Sequence, residues 1–398
     1  MEVESRMSDA PAVERRRPAI ESIADLAELV GAPTRAATEV RILRDGEGAF
    51  PAMFELIDAA RSEVLFENFI LAGDETGRRF ADVLSAAKQR GVDVRVLYDP
   101  VGTMMVRGGS IAKTLIEKGV VTRAFSPPTF TDPRTWGRMR HRDHRKTLTV
   151  DGEATVVGGL CISNNWAPTR QGGEGWRDTA LLVRGPIAAD VKRAFEAMWK
   201  RADGSEVPVH PVTAPPLSPP AALVVADRPG VQHVANLYAA MADRSRHSLE
   251  ITDAYLVLQK SAQASFCGAA RRGVSVRMLL PGRNNHPLAG AASRNGYESL
   301  LQAGVEIWEW DGAMIHAKTA VMDGELTLVG SSNLDPLSMH RNYELNLLVA
   351  DSLTGTRMQE MFESDLATAT QIELSSWRKR PSWQRIAEST GALFGSSL

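Results

Sequence analysis

Apolar and polar positions alternate along this chain in two runs that read alike. In the first, RSEVLFENFI (61–70) and VDVRVLY (92–98) are strand-length stretches rich in β-branched and aromatic residues, and the helical-period stretch between them stops at Gly91. In the second, RHSLEITDAYL (246–256) and VSVRMLL (274–280) flank a helical stretch that stops at Gly273. Strand, helix, strand is a βαβ unit, which predicts an α/β fold with a mixed, mostly parallel sheet in each half. Upstream, ESIADLAELV (21–30) predicts a short amphipathic helix.

A second pattern follows each unit. KTLTVDGEATVVGG (146–159) and KTAVMDGELTLVGS (318–331) alternate around Asp-Gly, a strong hairpin signal. From His144 to Gly158 and from His316 to Gly330, roughly nine of about fifteen aligned positions are identical. The chain therefore reads as a tandem duplication. Residues 202–222, rich in Pro and polar residues, predict the linker between a first half (40–201) and a second half (223–372). Residues 1–39 read as a tail with one short helix, and 373–398 as a basic, Trp-containing tail.

Composition narrows the class. The 398 residues carry a net charge of −2, which argues against a protein that coats nucleic acid by electrostatics alone. Two cysteines, Cys161 and Cys267, make no disulfide framework. No apolar run reaches the ~20 residues of a transmembrane helix, and the N-terminus reads poorly as a secretory signal.

The repeated segment carries the candidate chemistry. Residues two apart on a strand share a face, so His144 lies with Lys146 and His316 with Lys318. Each hairpin ends in small residues, Gly158-Gly159 or Gly330-Ser331, where a ligand can approach the backbone. An imidazole, an ammonium and small hydrogen-bonding groups at one spot suit an anion with a nucleophile beside it. A metal site is the rival chemistry. The string His141-Arg142-Asp143-His144 has Met139 where a binuclear zinc site needs a further His, and no Cys/His set has zinc spacing. No metal and no cofactor are expected.

Two copies of H-x-K-x4-D-x6-G-S/G resemble the phospholipase D superfamily. FPAMFELIDAARSEVLFENFIL, WRDTALLVRGPIAADVKRAFEAMW, ASRNGYESLLQAGVEIWEW and GSSNLDPLSMHRNYELNLLV are similar to bacterial cardiolipin synthases, so the likeness runs from about Val40 to about Arg380. The resemblance implies two halves about a pseudo-twofold axis with the active site at their interface. One of His144 and His316 would attack phosphorus to give a phosphohistidine while the other protonates the leaving alkoxide; which is the nucleophile stays open. Lys146 and Lys318, with Ser331, Asn333 and Gly159, would hold the phosphate oxygens. Asp151 and Asp323 complete the catalytic motif, although their place in the hairpins better suits shaping the turn and the charge network. Glu344 would orient the His of the second motif, with Asp178 at the comparable place in the first half. The first motif departs from the pattern: Gly159 stands for Ser, and Cys161 for an Asn whose loss Asn164 or Asn165 would compensate. Cys161 itself is read as no nucleophile.

The remaining features concern the substrate. A basic run, RTWGRMRHRDHRK (134–146), could meet phosphates of DNA or of anionic lipid. The C-terminal tail mixes Trp377 and Trp383 with Arg378, Lys379, Arg380 and Arg385, followed by Ile386, Leu393 and Phe394, as interfacial segments do. Met104 and Met105 read as core packing, with a further apolar contact as the alternative. The reading is a phosphatidyltransferase acting on phospholipid, cytoplasmic and peripheral at an anionic inner membrane face, delivering the group to a phosphatidylglycerol hydroxyl. No obligate protein partner is implied. The rivals are a phospholipase D that uses water and a nuclease of the same superfamily.

Overall fold

Two sheets with one strand order form the scaffold. The computed structural model describes residues 19–104, 106, 109–127, 140–203 and 219–381. In the first half the strands lie in the order Glu39–Arg44, Thr179–Arg184, Ala154–Gly158, Thr147–Val150, Glu63–Asn68, Asp93–Tyr98 and Val121–Ala124. The second half repeats it with Ala221–Asp227, Glu344–Ala350, Leu326–Gly330, Thr319–Met322, Ser248–Thr252, Ser275–Pro281 and Glu306–Trp310. It adds a short edge strand at each side, Arg35–Ala36 and Ala369–Gln371.

The sheets are mixed, as expected, but not mostly parallel. Among the described residues each has only two parallel pairings, the neighbours joined by helical crossovers. All other pairings are antiparallel, because the Asp-Gly hairpin and the strand after it return on the opposite side of the first βαβ strand. The crossover helices, Glu75–Gln89 and Lys260–Arg271, are each followed by a left-handed glycine, Gly91 at φ 92° and Gly273 at φ 93°. The first is also capped by Asp74, whose carboxylate accepts from the Gly77 amide at 3.0 Å.

Each half has its own core. Phe54, Phe66, Phe80, Leu84 and Val94 fill the first, and Leu237, Ile251, Phe266, Met278 and Ile307 the second. The other faces of the two sheets meet. Val157, Leu181 and Val183 pack there with Val321, Val329, Leu345, Leu347 and Val349 in one apolar layer that joins the halves.

The short helix expected over 21–30 is present, and both ends of the described chain pack on the second half. The helix Ala19–Val30 buries Ile23 and Leu26 in the core of the second half. Leu374–Arg378 is a docked helix whose Trp377 stacks on Tyr297 at 5.0 Å, so Trp377 is core rather than an interfacial anchor. Residues 204–218 of the linker, Met105, residues 134–139 of the basic run, and Trp383, Arg385, Ile386, Leu393 and Phe394 lie outside the described residues.

Asp151 and Asp323 are structural. Asp151-Gly152 and Asp323-Gly324 take positive φ at both positions, as a type I′ turn requires. The Asp151 carboxylate accepts from the amides of Arg61, Ser62 and Glu63, and Asp323 from those of Arg246, His247 and Ser248. Each therefore sits at the far end of its hairpin, roughly 16 Å along the strand from the motif lysine, and is corrected from the catalytic set.

Burial alone would raise the Asp151 pKa, but the amide donors outweigh it and hold the carboxyl down to about 2. Its stabilisation is complete above the ordinary carboxyl pKa of ~4 and is lost as pH falls toward about 2. Asp151→Ala should lower the unfolding free energy at pH 7 by on the order of 1 kcal/mol. In denaturant titrations the gap to the parent should close on acidification through that window.

Candidate active site

The motif histidines are placed by backbone pairing between the halves. Asp143 and Tyr343 form a parallel bridge, with His144 N donating to Tyr343 O at 3.0 Å and Tyr343 N to Arg142 O at 2.8 Å. Arg177 and Ile315 form the matching bridge, with Arg177 N donating to Met314 O at 2.9 Å and His316 N to Arg177 O at 2.7 Å. The residue after each bridging partner is a buried carboxylate. His144 Nδ1 thereby meets Glu344 at 2.9 and 3.0 Å, and His316 Nδ1 meets Asp178 at 2.9 Å. The expected pairing was Glu344 with His316. The structure crosses it: each imidazole is held by the carboxylate of the opposite half. An acceptor at Nδ1 makes that nitrogen the protonated one and leaves Nε2 as the free nitrogen of each ring.

The two half-sites share one electrostatic environment. Burial lowers the His144 pKa; Glu344 opposes it, while Lys146 and Lys318 both add to it. His316 is pushed well down by burial, then by Lys318, Lys146 and His144. Each ring thus feels the lysines of both motifs, and the crossed carboxylate pairs join the two half-sites. Lys146 and Lys318 are buried, and their ammonium groups donate to the carbonyls of His144 and His316. That uses one of three N–H donors on each and leaves the rest for an anion. Burial lowers both lysines, Lys318 to about 8.

The carboxylates are built differently. Ser331 Oγ donates to Glu344 and accepts from the Leu345 amide at 3.0 Å, so its hydroxyl is engaged by the orienting carboxylate rather than free for a phosphate oxygen. Burial would raise Glu344, yet His144, Lys146 and Ser331 together bring it below its ordinary value. In the first half Gly159 has no side chain because Asp178 occupies the space: a Cβ there would lie 2.3 Å from Asp178 Oδ1. The missing hydroxyl is replaced by Trp166, whose Nε1 donates to Asp178 Oδ2 at 2.8 Å. Burial still dominates and raises Asp178 to about 6, against Lys318, Trp166 and the Thr179 amide.

Asn333 is buried near the lysine hairpin, its Nδ2 3.4 Å from Ser338 Oγ and its Oδ1 without a partner. At the matching position Cys161 is a buried thiol, raised by burial to about 11 and so no nucleophile. Asn164 and Asn165 are both held through their amide oxygens. Asn164 Oδ1 accepts from Thr76, and Asn165 Oδ1 from Ser163. The described part of the basic run is not an open cationic face. Arg142 binds Asp99 and the Phe125 carbonyl, and Arg145 the carbonyls of Ala194 and Asp227. His141 Nδ1 lies 3.0 Å from Arg341 O, away from any pairing with His144.

Three residues escaped sequence reasoning. Trp166 carried no motif signal. Arg177, buried against Asp365, locks the bridge that carries Asp178. Asp253, at the end of the strand Ser248–Thr252, accepts from the amides of Tyr255 and Leu334 and faces Lys318. Its counterpart Asn68 holds the Ile70 amide and the Leu160 carbonyl. Aligning the two halves would have paired those positions.

Comparison with known proteins identifies the family. A family model described as cardiolipin synthase, phospholipase D-like domain, matches residues 53–199 and 238–366. The chain belongs to the phospholipase D superfamily and is cardiolipin synthase-like. A cardiolipin synthase of Geobacillus thermodenitrificans is 31% identical over 92% of this chain and 74% of its own length. Cardiolipin synthase 2 of Bacillus anthracis is 30% identical over 91% and 71%. Among solved structures, phosphatidylserine synthase of Haemophilus influenzae superposes with a TM-score of 0.72 at 13% identity, covering 95% of this chain and 100% of that one, which shows a shared fold. The chain is thus an enzyme of the phosphatidyltransferase and phospholipase D type.

Asp178→Asn tests the crossed pairing. Removing the charge that holds His316 should cost about 10²–10⁴-fold in kcat. The parent should lose activity as pH falls through about 6, where Asp178 takes up its proton. The variant's residual rate should lack that limb, and an unchanged pH profile would count against the pairing.

Proposed function

We propose that this chain transfers a phosphatidyl group to a hydroxyl of phosphatidylglycerol through a phosphohistidine. The observation that supports it is the convergence of two imidazoles, each fixed at Nδ1 by a carboxylate, beside two buried ammonium groups. One Nε2 attacks phosphorus, forming an N–P bond as the bond to the leaving alkoxide breaks. The other imidazole, as imidazolium, gives its proton to that alkoxide. It then takes the proton of the incoming hydroxyl, whose oxygen displaces the histidine and restores the phosphodiester. Lys146 and Lys318 stabilise the charge on the non-bridging oxygens, which is often the largest catalytic term. Ser331 and Gly159 act on the carboxylates, and the carboxylates on the imidazoles, rather than on the phosphate.

The similarity to cardiolipin synthases supports phosphatidylglycerol as acceptor. Among the described residues no helix is long and apolar enough to cross a membrane. We place the enzyme as a peripheral protein at the inner face of the cell membrane. Met104, expected in a core, is 64% exposed at the end of the helix Pro100–Met104, which supports lipid contact there.

Incubation of the whole chain with vesicles of labelled phosphatidylglycerol should yield cardiolipin and glycerol. Phosphatidic acid as the sole product would mean hydrolysis instead. Activity should survive excess chelator. His144→Ala and His316→Ala should each lower turnover by about three to six orders of magnitude; a loss below about tenfold in either would remove that half from the chemistry.

A further inference from the structure

The two walls of the cleft differ in chemistry. In each half, the loop after the second βαβ strand lies over the residues that follow the first one. In the first half this wall is apolar. Phe69 stands 4.9 Å from the His144 ring and under Lys146, Gly102 packs so tightly on it that a Cβ would come within 2.7 Å of the ring, and Met104 is exposed beyond. In the second half the wall is polar. Tyr255 lies edge-on to His316 at 6.2 Å and 5.8 Å from the ring of His286, so its phenol bridges the catalytic imidazole and a second, solvent-exposed one. Its hydroxyl donates to Asn285 Oδ1 at 2.6 Å.

The loop that carries these groups is anchored. Asn284 Nδ2 donates to Ala254 O at 3.3 Å, Asn284 Oδ1 accepts from the His286 amide at 2.8 Å, and Gly282 N donates to Trp310 O at 3.1 Å. With its oxygen taken by Tyr255, Asn285 keeps an NH₂ group to donate. The neutral imidazole of His286 offers one donor and one acceptor. It also lies close enough to be among the groups acting on His316.

We propose that Tyr255, Asn285 and His286 form the subsite for the alcohol that exchanges at phosphorus, and that they select a polyol headgroup over water. The inference rests on the transfer reading above. A glycerol headgroup carries vicinal hydroxyls that can accept from Asn285 and exchange hydrogen bonds with His286 while the reacting hydroxyl faces His316. A water molecule offers one oxygen and satisfies only part of that set. The apolar wall at Phe69 and Met104 takes the diacylglycerol side of the phosphodiester.

The test is the ratio of cardiolipin to phosphatidic acid made from phosphatidylglycerol vesicles. Both products leave the same intermediate, so the ratio reports the acceptor step and not the overall rate. Asn285→Ala/His286→Ala should lower it by about tenfold, the effect of one lost hydrogen bond in a desolvated site. Tyr255→Phe, which removes only the hydroxyl, should lower it in the same direction and decides the matter if the double variant fails to fold. A ratio within about twofold of the parent in every folded variant overturns the subsite. No phosphatidyl product from the parent itself overturns the transfer reading instead.

Discussion

The crossed pairing of His144 with Glu344 and His316 with Asp178 is the contact on which the rest of the structure depends. Neither half can orient its own imidazole. The carboxylates are buried, and isolating one in a low-dielectric interior costs several kcal/mol unless a cation or donors meet it. Each half supplies the imidazole that the other's carboxylate binds, so separation would leave both buried carboxylates without their histidine partners. The parallel bridges at Asp143–Tyr343 and Arg177–Ile315 set the register of this exchange. The apolar layer between the sheets holds the halves together beneath it.

Within that near-symmetry the two sites are unequal, and a few atoms account for it. Ser331 with Glu344 in one half corresponds to Gly159 with Asp178 in the other. The shorter acid reaches its histidine only because Gly159 vacates the space, and it gains the Trp166 indole in place of the serine hydroxyl. Glu344 is thereby held ionised, whereas Asp178 sits near the middle of its titration at about 6. What looks in the sequence like a degraded first motif is a second way of building the same support. The walls carry the inequality outward: Phe69 stands next to His144, while His316 packs on Trp166 and Trp176 and faces Tyr255 with its hydrogen-bonded hydroxyl.

Much of this is legible in the order of residues alone. The period-two alternation, the glycine stops and the repeated Asp-Gly hairpin identify two α/β halves, and the duplicated His and Lys mark the chemistry. Local pattern misleads where long-range contacts decide. The sheets are largely antiparallel because a βαβ unit fixes only its own two strands and says nothing of the meander that follows. Trp377 and the helix Ala19–Val30 read as tail because amphipathic and aromatic segments look the same whether they cover lipid or their own domain. Arg142 and Arg145 read as an open basic run, since carbonyl and carboxylate partners distant in sequence leave no local trace.

The sequence by itself determined the duplication, the motif histidines and lysines, and the type I′ turns, because each is a property of residues a few positions apart. Only the tertiary structure decided which carboxylate serves which histidine, that Asp151 and Asp323 cap turns instead of meeting substrate, and that Gly159 and Trp166 act together. The crossed pairs join segments 200 and 138 residues apart and the turn carboxylates hold amides 75 to 90 residues away, and burial sets the cost of every unmatched charge at the histidines.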